Sequence, residues 1–188
     1  MITPDTILLA YAQGLFPMAD EAGELGWYRP QQRALLPLDT FRVPRSLAKV
    51  MRRAPYQIRF DTAFPRVIAA CADRPATWLS PEIQSVFCAL HARGLAHSVE
   101  AWRDDDLVGG LYGLALGGVF FGESMFSRAT DASKICLVHL VAHLRERNFA
   151  LLDSQLYNPH YDRFGQVLVP HVAFLPALQA ALQRPCRF

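Results

Sequence analysis

The run HSVEAWRDDDLVGGLYGLALGGVFFGESMF, residues 97–126, decides the fold. HSVEAW alternates apolar and polar side chains as a strand does, and Arg103–Asp106 supplies a turn. LVGGLYGLAL then reads as a second strand bent by its glycines, and Gly117-Gly118 makes a tight turn into VFFGESMF, a third. The three form an antiparallel meander. Beyond it, Thr130–Asp131 can cap a helix reaching Arg147, with Cys136, Leu137, Leu140, Val141 and Leu144 as its buried stripe. Ala150–Gln155 (ALLDSQ) then reads as a strand returning parallel to the third one. A strand–helix–strand crossover beside a meander gives a mixed fold, α/β with α+β character.

The remaining elements are shorter. Residues 4–14 read as a helix with Thr3 as N-cap and Pro4 in its first turn. The Pro- and Gly-punctuated stretch up to about residue 40 reads as loops with one or two short strands. Ser46–Arg53 reads as a basic helix ending before Pro55, Tyr56–Phe60 as a strand, and 64–72 as a helix. Another helix runs from the Ser80 cap to Gly94. With 188 residues, 52% of them hydrophobic and 19% charged, the chain can fill a sizeable core as one domain, with or without a small appendage. Apolar runs fall short of the roughly 18–20 residues that span a bilayer, and the N-terminus lacks a secretion-signal pattern. Cys71, Cys88, Cys136 and Cys186 are scattered, without metal-ligand spacing, and point to a reducing cytoplasm.

Three constellations could carry chemistry. Glu123 is a carboxylate in mid-strand between Phe120-Phe121 and Met125-Phe126, where a buried charge needs a partner; its alternative place is a solvated face. Asp153 and Gln155, two apart on a strand, project to one face. If their strand neighbours that of Glu123, two acids and an amide converge at the strand ends, where α/β sheets bind ligands. Arg45, Lys49, Arg52 and Arg53 share one helical face; such a face is usually just solvated, but the lack of any acidic neighbour shifts the balance toward phosphate binding. The surroundings agree: residues 29–60 carry eight Lys or Arg against Asp39 alone, whereas residues 1–28 carry Asp5, Asp20, Glu21 and Glu24 and no base. The other candidates carry less. His97 reads as structural, His139 and His143 as the outer face of the long helix without a third metal ligand, and Lys134 as a surface or helix-end contact. Walker, GxSxG and HExxH motifs are absent.

Together these residues resemble the leucyl/phenylalanyl-tRNA–protein transferases, bacterial enzymes that append Leu or Phe to proteins beginning with Arg or Lys. The resemblance runs through AYAQGLFPM, WYRPQQRALLPLD, RSLAKVMRR, WLSPEI, the whole of 97–128, DASK and LLDSQLYN. It implies a small N-terminal domain over 1–58 and a C-terminal domain over 59–188 similar to the GNAT acetyltransferases. It assigns Asp153 and Gln155 to a catalytic acid–amide pair, Glu123 to the active-site glutamate, and Arg45, Lys49, Arg52 and Arg53 to the tRNA acceptor stem. The aminoacyl pocket would involve Leu111, Phe120, Leu140, Leu144 and Leu152, with Trp78 near the aminoacyl-adenosine. Two departures stand out. Little sequence precedes AYAQGLFPM, so the N-terminal domain reads as a reduced one. Met18 follows FP where many members have Trp; it can cover the 3′ adenine but cannot stack as an indole does.

The resemblance implies no cofactor and no metal. Donors would be Leu- and Phe-tRNA and, on shape, Met-tRNA; acceptors would be proteins with N-terminal Arg or Lys, marked thereby for degradation by the N-end rule. A cytoplasmic monomer with no membrane association is expected. The competing reading, a GNAT-type acyl-CoA N-acyltransferase, needs a Gly-rich pyrophosphate loop between the third strand and the long helix. That junction here is SRATDASK, without glycine.

Overall fold

The computed structural model describes residues 2–20 and 22–188. Met1, and Glu21 of the acidic N-terminal set, lie outside the described residues. The element order is α1 (Pro4–Ala12), β1 (Phe16–Ala19), β2 (Leu25–Tyr28), β3 (Gln32–Leu35), α2 (Arg45–Met51), β4 (Gln57–Phe60), α3 (Phe64–Ala72) and α4 (Pro81–Ala92). There follow β5 (Ala96–Arg103), β6 (Asp106–Leu116), β7 (Val119–Ser127), α5 (Ala132–Glu146), β8 (Leu151–Gln155), a 3-10 turn (Pro159–Phe164), β9 (Val167–Pro170) and α6 (His171–Leu182).

Seven strands form one mixed sheet in the order β4-β5-β6-β7-β8-β3-β9, while β1 and β2 make a separate hairpin. Strands β5, β6 and β7 are the expected meander, and α5 carries the chain across to β8, which pairs parallel to β7. The start of α5 differs from expectation. Asp131 takes a left-handed conformation (φ 60°) and leaves the helix end uncapped by its side chain; its carboxylate instead holds Lys134 at 2.6 Å. Two regions form more structure than the sequence pattern indicated. The stretch to residue 40 holds three strands, and β3 enters the main sheet between β8 and β9. Past Gln155, β9 and α6 complete the chain.

The sheet is covered on both faces, as the near-continuous apolar runs of β6 and β7 require. One face packs on α1, α3, α4 and α6 through Tyr11, Phe64, Phe87, Tyr112, Phe121 and Phe174. The other packs on α2 and α5 through Leu47, Leu111, Phe120, Leu137, Leu140 and Leu152. Strand alternation sorts neighbours such as Phe120 and Phe121 into opposite layers. Among the described residues no helix is long and apolar enough to cross a membrane, and no group of three His, Cys, Asp or Glu could hold a metal ion. The four cysteines are free.

Candidate active site

Strands β7 and β8 stay paired only from Val119↔Leu151 to Phe121↔Asp153. Beyond that level β7 runs on to Ser127 without β8, whose end pairs with β3 instead. Each strand carries a one-residue bulge where they part. Gly113↔Gly122 and Tyr112↔Ser124 leave Glu123 as the extra residue of β7; Leu35↔Asp153 and Ala34↔Gln155 leave Ser154 as that of β8. Bulges re-aim side chains and end pairing. Here they open a cavity of about 280 Å³ between the parted strands.

Because the gap cuts through the sheet, the cavity draws on both layers. Its polar end holds Glu123, Ser124, Asp153, Gln155, Asn158 and Arg74, flanked by Phe16, Met18 and Trp78. Its apolar end reaches into the α5 layer and is walled by Leu36, Leu111, Met125, Leu137, Leu140 and Leu152. A ligand with a polar head and a branched or aromatic apolar tail fits such a division.

At the polar end Gln155 Nε2 donates to Glu123 Oε1 at 3.0 Å, and Gln155 N donates to Asp153 Oδ1 at 2.9 Å. Gln155 adopts φ 58°, a left-handed backbone unusual for a residue with a long side chain. That twist, at the bulge, turns the amide toward Glu123 rather than leaving it a plain alternate of Asp153. Asp153 itself is fully buried and saturated. Oδ1 accepts from Arg33 Nε and Gln155 N, and Oδ2 from Arg33 Nε (2.9 Å) and Nη2 (2.7 Å). Glu123 is different: it is half-buried, it faces the cavity, and burial raises its pKa to about 8. The Tyr11 hydroxyl, which has no hydrogen bond of ordinary geometry, favours the ionised form, Asp153 opposes it, and Arg33 and Gln155 favour it again.

The expected residues are therefore brought together in part. Glu123, Asp153, Gln155, Leu111, Leu140, Leu152, Trp78 and Met18 all line the cavity, with Ala19 N tying β1 to Trp78 O at 3.2 Å. Phe120 and Leu144 do not. Phe120 stacks on Phe188 at 5.3 Å, and Leu144 lies one helical turn beyond Leu140, so both fill the same layer away from the opening. Leu36, Leu137 and Met125 complete the wall instead. Arg45, Lys49, Arg52 and Arg53 are all exposed on or just past α2. Arg33, counted above with the basic surface, is wholly buried against Asp153. His143 is not on an outer face: its ring stacks on Phe60 and its Nε2 is buried. His97 bonds Asp61 at 2.7 Å, outside the cavity lining. Besides those wall residues, spacing missed Arg33 and Tyr11, which touch the acids from behind. A lone arginine inside the apolar run of QRALL was the available signal for the first.

Two family models cover the chain: the leucyl/phenylalanyl-tRNA protein transferase model matches residues 35–179, and its N-terminal domain model matches residues 1–31. The chain belongs to this family. It is 54% identical to the leucyl/phenylalanyl-tRNA–protein transferase of Rubrobacter xylanophilus over 97% of its own length and 96% of that protein's. It is 50% identical to that of Gloeobacter violaceus over 100% and 97%. Among solved structures, L-PGS from Bacillus licheniformis aligns over 82% of this chain and 51% of its own, at 11% identity and a TM-score of 0.45.

Proposed function

We propose that this leucyl/phenylalanyl-tRNA protein transferase family member moves Leu or Phe, and on shape Met, from charged tRNA to the α-amine of proteins beginning with Arg or Lys, marking them for degradation. The observation that carries this reading is the two-ended cavity: an apolar end walled by leucines opening beside an acid held by an amide. An aminoacyl ester is already activated, so the chemistry needs neither cofactor nor metal. The acceptor nitrogen attacks the ester carbonyl, the carbon–oxygen bond to the ribose breaks, and one proton passes from the amine to the departing ribose oxygen.

Glu123 is the group suited to carry that proton. It faces the cavity, and with its pKa raised to about 8 it lies close to the ~7.7–8.0 of an α-amine, so proton transfer between them is nearly balanced. Asp153, whose carboxylate takes its hydrogen bonds from Arg33 and the Gln155 N–H, keeps Gln155 in place. Positioning can supply ~7–11 kcal/mol and a general base ~3–5 kcal/mol, so approximation dominates. Met18 and Trp78 flank the place for the terminal adenosine, and Arg45, Lys49, Arg52 and Arg53 hold the acceptor stem.

The boundary near residue 58 belongs to the same proposal. Residues 1–58 bring Met18 of the adenosine flank and the basic helix, and 59–188 bring Trp78, the acid, the amide and most of the slot. An acetyltransferase-like layout for 59–188 is supported by the parallel β7–β8 pair that parts at the cavity. A cytoplasmic monomer is part of this reading too. The test is transfer of labelled Leu from Leu-tRNA to peptides starting with Arg, Lys or Met. The Arg and Lys peptides should be labelled and the Met peptide should not; equal labelling of all three, or of none, would overturn the assignment. Ile- and Val-tRNA should be poorer donors by about 1–3 kcal/mol, because a second Cβ substituent meets the slot wall.

A further inference from the structure

Arg33 is the largest wholly buried side chain of the protein, and its hydrogen bonds lead to different parts of the site. Its Nε and Nη2 grip Asp153, whose Oδ1 takes the Gln155 N–H, and the Gln155 amide in turn holds Glu123. Its Nη1 donates at 2.8 Å to Gly14 O. Gly14, at φ 76°, is the turn joining α1, which carries Tyr11, to β1, which carries Phe16 and Met18. The guanidinium carbon also lies over the rings of Phe16 (5.0 Å to the centroid) and Phe174 (4.8 Å). The planar fork therefore ties the reacting acid–amide pair to the segment that flanks the place of the adenosine.

We infer that Arg33 is a positioning residue for aminoacyl transfer, fixing Gln155 and Glu123 in distance and angle relative to the donor segment carrying Phe16 and Met18. The inference rests on the proposed function above. A buried ion pair alone would not require it, since charge balance for Asp153 needs one contact, whereas Arg33 binds two separate partners, the Asp153 carboxylate and Gly14 O. Lysine keeps the charge but lacks the fork, so it cannot hold Asp153 and Gly14 O together. A misplacement of about 1 Å remote from the chemistry costs on the order of a hundredfold in rate.

The experiment uses the full chain with Arg33→Lys and with the neutral pair Arg33→Met/Asp153→Asn. In that pair the substituted amide oxygen can still accept the Gln155 N–H, and no lone charge is buried. Turnover is measured per folded molecule, with near-ultraviolet circular dichroism giving the folded fraction. Both variants should fold, keep the wild-type KM for Leu-tRNA, and lose about a hundredfold in kcat. Wild-type kcat in either folded variant would overturn the role, as would a loss that only follows the folded fraction. Failure of both to fold would also overturn it, by making Arg33 a structural residue. The unmodified protein is run alongside: if it transfers no Leu, the proposed function falls instead.

Discussion

Glu100 and Glu123 stand in mid-strand, in the similar contexts SVEAW and FGESM, with one strand between them. Glu100 is wholly buried and accepts from four donors: the Thr62 hydroxyl, Ala63 N (2.8 Å), Ser98 Oγ (2.8 Å) and Trp102 Nε1 (3.1 Å). Glu123 accepts one well-formed bond, from Gln155, has the buried Tyr11 hydroxyl beside it, and turns its other side to the cavity. An ionised carboxylate has room for about four donors. The first is filled by the fold itself; the second is left open for something else. What separates a structural acid from a working one is not burial but unspent hydrogen-bonding capacity beside a space.

The largest effect that could break this contrast is on turnover. Glu123→Gln should lower kcat by about 10²–10⁴-fold, the usual worth of a general base, without any loss of folded stability. Glu100→Gln should do the reverse. An NH₂ group set among four donors leaves some of them unpaired, at about 1–3 kcal/mol each, with normal transfer per folded molecule. Steady-state kinetics alongside denaturant unfolding reads both. A folded but inactive Glu100→Gln protein would erase the distinction.

Asp153 sharpens the contrast as a third kind of acid, saturated by a cation rather than by dipoles. Asp153→Ala should nearly abolish transfer and also cost about 3–5 kcal/mol of stability, because it strands the buried charge of Arg33. Its tRNA affinity should survive, since that is assigned to the exposed face of α2. Plotted as log affinity against log salt, binding should give a slope of roughly −3 for four phosphate contacts, the same in wild type and Asp153→Ala. A flat response would remove Arg45, Lys49, Arg52 and Arg53 from tRNA binding, and a slope altered by Asp153→Ala would mean that the site disturbs the basic helix.

Much of this was legible in the residues. Period-two alternation with glycine turns placed β5, β6 and β7, although β5 is buried on both faces, and the stripe from Cys136 to Leu144 placed α5, whose buried residues share one face. The meeting of Glu123 with Gln155 followed from a parallel return strand. The bulges did not follow: a single extra residue changes pairing without changing composition, and both bulges, at Glu123 and Ser154, sit where the cavity opens. Arg33 was misplaced because charge counting assumes that a base in a basic segment is solvated, whereas its partner lies 120 positions along the chain. Phe120 and Leu144 were misplaced for a third reason. Periodicity gives the face of an element but not the depth along it, and the cavity wall stops at Leu140.

The smallest expected effect concerns stability against pH. Burial raises the Glu123 pKa to about 8, so the folded state favours the protonated acid more than the unfolded chain does. The sign follows: the contribution is fully present below the ordinary glutamate range, near pH 4, and is lost as pH rises through about 8. Glu123→Gln is neutral at every pH and lacks that loss. Relative to wild type it should therefore gain about 2 kcal/mol between pH 5 and pH 9, a value kept modest because one flank of the carboxylate meets the cavity. Urea unfolding of both proteins at the two pH values measures the difference, and a change that is flat or opposite in sign would mean that Glu123 is already ionised at little cost. Transfer at saturating substrate should rise over the same interval as the carboxylate becomes able to take the amine's proton. The group would then destabilise the fold in the very form that works, which is the mark expected of an acid placed for chemistry and the opposite of what four donors do for Glu100.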